Sequence, residues 1–232
     1  MTDNALTTTG GAPSALAMHA ALQQYAQAQK INLTRFMSFH NVRGEFLTKD
    51  AEKVEVVVKF GTQFYVNVPK IAHGFVCWKD SQAKEKIMYL MQDMPTLPDT
   101  STLPDHGPYD GDRDGWSEQM SIPFYHPVEK MGYVFQVSSM SSLNATKKLL
   151  GKIIAAAMRE GKDVDNDVPL IEVYKDSYKN RQTKKDMFIP GFKVVGWAKA
   201  SDLNLTVSGL PPVENEGTEG ETKAIAGVSA DV

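Results

Sequence analysis

One stretch of this chain carries a sustained helical period, while most of the remainder alternates in the manner of strands. Leu149, Leu150, Ile153, Ile154 and Ala157 recur on a single helix face. Ser141 or Ser142 offers an N-cap, and Gly161 stands where a left-handed C-terminal residue belongs. Before this helix, residues 54–60 set Val54, Val56, Val58 and Phe60 against Glu55 and Lys59, the period of a half-buried strand. Residues 61–63 interrupt, and Phe64, Val66 and Val68 resume the alternation up to Pro69. Residues 35–46 read as the first strand, with Gly44 as a bend. Residues 74–78 and 87–91 flank a polar run, 79–86, as a hairpin. Residues 119–125 and 133–138 flank 127–132, which starts on a proline and ends on a glycine, as a second hairpin. After the helix, 170–174 and 192–197 are two more strands joined by a polar loop.

That order restricts the architecture. A parallel α/β sheet needs helices between most strands, and they are missing. An immunoglobulin-like sandwich does not ordinarily hold a long amphipathic helix late in the chain, and no repeat of solenoid or propeller length is present. The expectation is a mostly-β fold: a β-barrel with one main helix between its third and fourth core strands, in the manner of an elaborated OB-fold-like barrel. The extra hairpin and the proline- and aspartate-rich stretch 94–115 are then insertions. The barrel domain spans 30–210. Residues 1–29 form a flexible arm with a short helix over 16–28, and 211–232 form an acidic disordered tail.

Charge is unevenly placed. The 232 residues carry a net −3, but the tail after Pro212 holds Glu214, Glu216, Glu219, Glu221 and Asp231 against Lys223 alone. Removing that −4 leaves the rest of the chain at +1. The single cysteine, Cys77, excludes an internal disulfide and suits a reducing compartment. No apolar run approaches the ~20 residues of a membrane span, and Met1-Thr2-Asp3-Asn4 lacks a basic signal region. These features point to a cytoplasmic protein.

The stretch joining the last two strands is the most informative chemically. Tyr174, Lys175, Tyr178, Lys179, Arg181, Lys184 and Lys185 place five cations and two phenol rings in twelve residues, with Asp176 the single acid. In an OB barrel this is the connection between strands four and five, one of the loops that grips oligonucleotides. Single-stranded nucleic acid needs cations for its phosphates and flat rings for its bases. Lys147, Lys148 and Lys152 add charge on the helix, and Arg35, Arg43, Lys59 and Lys70 lie near the early strands. Tyr65, Trp78 and Trp116 are further stacking candidates near strand ends. The plainer alternative is a solvated hairpin kept soluble by lysine, with the rings packed at the rim.

Gly132-Tyr133-Val134-Phe135, the helix over 143–158 and the run Phe188-Ile189-Pro190-Gly191-Phe192-Lys193-Val194-Val195-Gly196-Trp197 together resemble bacteriophage and prophage OB-fold proteins that bind single-stranded DNA. The resemblance spans roughly 54–198 and rests on element order. It implies a non-enzymatic protein that coats single-stranded DNA during phage-type replication or recombination in the host cytoplasm. It also implies an acidic tail that recruits replication or recombination partners. Here the chain ends Ala230-Asp231-Val232, without the terminal aromatic such tails often present. A structural or interaction protein, such as a virion component or a host-directed inhibitor, is the competing class.

Other motifs carry less. Asp110, Asp112 and Asp114 followed by Gly115 match the first half of a calcium loop, but Ser121 stands where a bidentate glutamate belongs. A surface turn explains them equally well, so no metal or cofactor is expected. With Glu118 the same carboxylates would serve a metal nuclease, although such sites normally gather ligands from several elements. The five histidines lack ligand spacing, Cys77 sits in an apolar run as a buried thiol, and no catalytic motif is present.

Overall fold

The computed structural model describes residues 34–50, 52–111, 114–180, 184, 186–203 and 205. The expected arm (1–29) and acidic tail (211–232), with Arg181, Lys185 and Asp112, lie outside them. Ten strands and one α-helix are described: β1 (Thr34–His40), β2 (Glu45–Lys49), β3 (Glu55–Val58), β4 (Gln63–Val66), β5 (Ala72–Lys79), β6 (Gln82–Leu90), β7 (Gly115–His126), β8 (Met131–Val137), α1 (Met140–Glu160), β9 (Asp167–Lys179) and β10 (Asp186–Lys199).

The strands join one sheet in the order β10-β9-β4-β7-β8-β1-β2-β3, with β5 and β6 branching from β7. β7 is the spine. Its first half pairs with β5 and its last residues with β4, while β8 lines its other edge. β4 and β5 thus act as one interrupted strand along β7. Between the partners Val66–Phe124 and Ala72–Ser121, residues 67–71 face only 122–123, and the surplus is taken up by a 3₁₀ turn at Val68–Lys70. That irregularity bends the sheet.

The sheet curls toward a half-barrel. β2 and β10 are six steps apart on the path, which in a flat sheet is ~29 Å at ~4.8 Å per strand. Yet the Phe46 and Phe192 ring centroids are 5.8 Å apart, and those of Phe135 and Phe192 are 5.6 Å apart. These rings, with Phe64, Phe124, Met120, Ile122 and Ile171, fill the interior. The seam between β10 and the β1–β2 turn holds a backbone hydrogen bond, Phe188 N to Asn41 O at 2.8 Å. α1 plugs the rest, burying Leu143, Thr146, Leu149, Ile153 and Ala157. Its Lys152 ammonium donates to Phe192 O (3.0 Å), and Trp197 Nε1 donates to Glu160 Oε2 (2.9 Å). The fold class agrees with the expectation, mostly β and barrel-like with one main helix, but eight strands precede that helix and two follow it, rather than a placement between a third and a fourth core strand.

Several local expectations need correction. The helix is capped by Ser139, whose side chain accepts from Ser142 N, rather than by Ser141 or Ser142. Ser141 instead accepts from Asn41 Nδ2 at 2.9 Å, tying the helix start to the β1–β2 turn. Residues 35–46 form two strands, because the chain reverses at 41–44. β3 is an edge strand and is not half-buried: Val56 and Val57 are both exposed. The polar run 79–86 is mostly strand, and the reversal is confined to Asp80 and Ser81, both with positive φ, as the tightest hairpins require. The expected polar loop between 174 and 192 is largely paired backbone too, since β9 runs to Lys179 and β10 starts at Asp186.

Candidate nucleic-acid interface

β9 and β10 form a long two-stranded arm. Near the barrel, Ile171 and Val173 of β9 and Phe192 of β10 are buried; beyond them the arm runs out to its tip. Strand alternation divides its side chains between two faces. One carries Glu172, Tyr174, Asp176 and Tyr178, opposite Lys193, Gly191, Ile189 and Met187 respectively. The other carries Lys175, Ser177 and Lys179, opposite Pro190, Phe188 and Asp186. The sequence groups rings and cations as one cluster; the pleat separates them.

On the ring-bearing face, Tyr174 lies over Gly191. A Cβ at residue 191 would come within 2.3 Å of Tyr174 Cε2, so glycine is what lets the ring rest against the partner strand. The Lys152 ammonium sits 6.0 Å from the Tyr174 centroid. Tyr178 is 41% exposed on the same face, four residues and therefore ~13 Å further along the strand. Lys193, exposed at the inner end, pairs in register with Glu172. The sequence reading missed both Lys193 and Gly191 as parts of this face. Register alone reveals them, and register becomes visible only once 174–179 is taken as strand.

On the other face, Lys175 is held against rings, its ammonium 4.6 Å from the Phe188 centroid and 5.4 Å from that of Phe60. Lys179 faces Asp186 across the ladder, and Lys184 is exposed at the tip, its N–H bonded to Asn180 O. A two-stranded ribbon is only ~5 Å between strand axes. A lysine rooted on one face therefore reaches round the edge to a polymer lying on the other.

The remaining expected residues lie elsewhere. Arg43 is committed to Glu55 (2.7 Å) and Glu45 (3.3 Å), and the Glu55 hydrogen bond raises its pKa above the ordinary value. Arg35 lines a cleft with Phe36, Leu47 and Lys49 on the β1–β2 strands. Lys59 is exposed after β3, and Tyr65 is half-buried on β4 beside Tyr125 and Leu170. Trp116 is a packing residue: its indole N–H donates to Pro104 O at 2.8 Å and its ring meets His106. Trp78 and Trp116 border one cleft with Ser117 and Ser138, away from the arm's partners.

The 91–114 insertion is strapped over β5 and β6. His73 Nε2 meets Met94 O and His106 Nε2 meets Glu85 Oε2, each at 2.5 Å, and the Lys79 ammonium donates to His106 O. The Tyr109 hydroxyl lies 3.7 Å from the buried Cys77 Sγ. Asp114 turns inward to accept from Gly111 N (3.1 Å), and Glu118 pairs with Lys147 (2.8 Å). Among the described residues no group of three or more histidine, cysteine or acidic side chains is arranged to hold a metal ion. Nor is any helix among them long and apolar enough to cross a membrane. No protein-family model, curated protein or solved structure matches this chain.

Proposed function

We propose that this protein binds single-stranded DNA without sequence preference, coating it as a stoichiometric partner in phage-type replication or recombination. The supporting observation is the arm's ring-bearing face, where Tyr174 lies over Gly191 beside the Lys152 ammonium and Tyr178 stands exposed further out. Unpaired bases stack on such rings whatever their identity, and cations within reach follow the phosphates. Lys193 and Lys152 flank the ring face directly. Lys175, Lys179 and Lys184 supply further charge from the far face and the tip, and Arg181 and Lys185, outside the described residues, belong to the same run of sequence. In this reading, Arg35, Lys59, Tyr65, Trp78 and Trp116 are peripheral and Arg43 contributes nothing. The acidic segment 214–221 competes with DNA for the cations and recruits replication or recombination proteins.

Fluorescence anisotropy with labelled oligo-dT over a salt series tests the proposal. Seven phosphate contacts, one for each of these cations, give a log–log slope of about −4.9, and replacing Lys179, Arg181, Lys184 and Lys185 with Ala brings it to about −2.1 at ~0.7 per contact. Absence of binding by the parent protein at low salt sinks the reading.

A further inference from the structure

Among the described residues, β3 ends the sheet with one edge unpaired: its ladder partner there is β2, in the register Phe46–Val58, Leu47–Val57, Thr48–Val56 and Lys49–Glu55. Edge strands are ordinarily blunted by shortness, lysine, a proline, a bulge or an inward-pointing charge. β3 is short, at four residues, but it holds no lysine, proline or bulge, and apolar side chains are exposed along it: Val54 55%, Val56 40% and Val57 49%, with Phe60 at 45% just beyond. Lysine occurs only at its flanks, Lys53 and Lys59.

The order of residues along this edge is self-complementary. In an antiparallel pair centred on Val57, Val57 meets its own copy, Val56 meets Val58, and Glu55 meets Lys59, the residue just past the strand. Both charges find an opposite partner twice, once on each side of the two-fold axis. Centring the pair on Val56 would set Lys53 against Lys59, and a centre between Val56 and Val57 would set each charge against a valine. Directly opposed residues on an antiparallel ladder share a face, so the ion pairs flank the central valines on one face while Val56 and Val58 meet on the other. Glu55 also holds Arg43, so the partner's Lys59 would complete a cation–carboxylate–cation array at each end.

From this we infer that two copies of this chain associate edge to edge through β3, in the antiparallel register centred on Val57, joining their sheets across a two-fold axis. The contact is isologous, so it closes at two subunits. The inference is independent of nucleic-acid binding and needs no DNA to test.

Sedimentation analysis of the full chain, up to roughly 100 µM to capture micromolar association, should show a concentration-dependent monomer–dimer equilibrium. Val57→Lys sets two ammonium groups against each other on the axis, Lys59→Glu faces carboxylates, and Glu55→Lys faces ammonium groups. Each should weaken association ~10-fold or more; thermal melts of Val57→Lys and Lys59→Glu should change little because both positions are on the surface, while Glu55→Lys also loses its exposed ion pair with Arg43 and melts slightly lower. Mixing the Lys59→Glu and Glu55→Lys chains should restore a heterodimer, since each opposed pair is again of opposite charge. A parent protein that stays monomeric throughout overturns the inference. So does a dimer that survives all three substitutions, or one that the mixed variants fail to restore.

Discussion

Tyr174 and Gly191 depend on each other. The phenol ring occupies the space a side chain at 191 would fill, so Gly191→Ala must lift the ring from the ribbon. If Tyr174 stacks a base, losing it costs ~1–3 kcal/mol of binding, and Gly191→Ala should cost a similar amount. The double variant Tyr174→Ala/Gly191→Ala should be no worse than Tyr174→Ala alone, because both remove one interaction. Oligo-dT titrations of the three proteins check this, and additive losses would mean that Gly191 acts elsewhere. Tyr133 allows a test that needs no ligand. Burial and the hydrogen bond it donates to Glu129 (2.5 Å) push its phenol pKa up to about 12. An unfolded tyrosine releases its proton near ~10. Between those values the unfolded chain binds fewer protons than the native one, so stability falls as pH rises. The contribution of Tyr133 is complete below pH ~10 and is lost on approaching pH about 12. Urea melts on either side of pH ~10 should therefore show a steeper alkaline loss for the parent than for Tyr133→Phe.

At the level of elements, the helix was the most legible part of the sequence and its ends the least. Its buried stripe, Leu149, Ile153 and Ala157, follows directly from spacing. Ile154 and Met158, however, are 56% and 80% exposed, because the helix plugs a seam and presents only a narrow face. The cap at Ser139 escaped notice because three serines lie within four residues, and spacing cannot choose among them without the contact from Asn41. Gly161 was readable: its φ of 62° lies in the left-handed region, and its N–H bonds to Ala157 O. Gly161→Ala should destabilise the fold by ~1–2 kcal/mol through that conformation alone, seen as a lowered denaturation midpoint with unchanged oligo-dT affinity. Strands with water on both faces were the ones misread. Residues 82–86 and 174–179 lack an apolar alternation because neither face packs on the core, so composition made them resemble loops. β3 gave the opposite error, since its alternation is real but its position at the sheet's edge leaves it uncovered.

For the whole molecule, element order was enough to place one helix against a curled sheet, because most strands follow one another without intervening helices and sequence neighbours that pair do so antiparallel. The parallel pairing of β1 with β8 was beyond reach of the sequence. Nothing local to residues 34–40 indicates that their partner lies at 132–135, and the three-strand meander β1–β3 would read equally well as an independent unit. The candidate interface was legible in composition but not in geometry. Composition alone locates the rings and cations along the arm, whereas their split between its two faces needs the ladder register. Tyr65, Trp78 and Trp116 were chosen as aromatic residues near strand ends, and ring type alone does not distinguish a packed indole from one offered to solvent.

The Thr34–Gly132 pairing has a consequence for biosynthesis. A chain leaving the ribosome in order delivers its opening meander long before the strand that anchors it has been translated. Until residue 137 has emerged, the Met37 and Phe46 side chains have no core to enter and the β3 valines are exposed to neighbouring nascent copies. Contacts so distant along the chain also form slowly. Production of this protein should therefore depend more on translation speed and chaperone supply than its native stability would suggest.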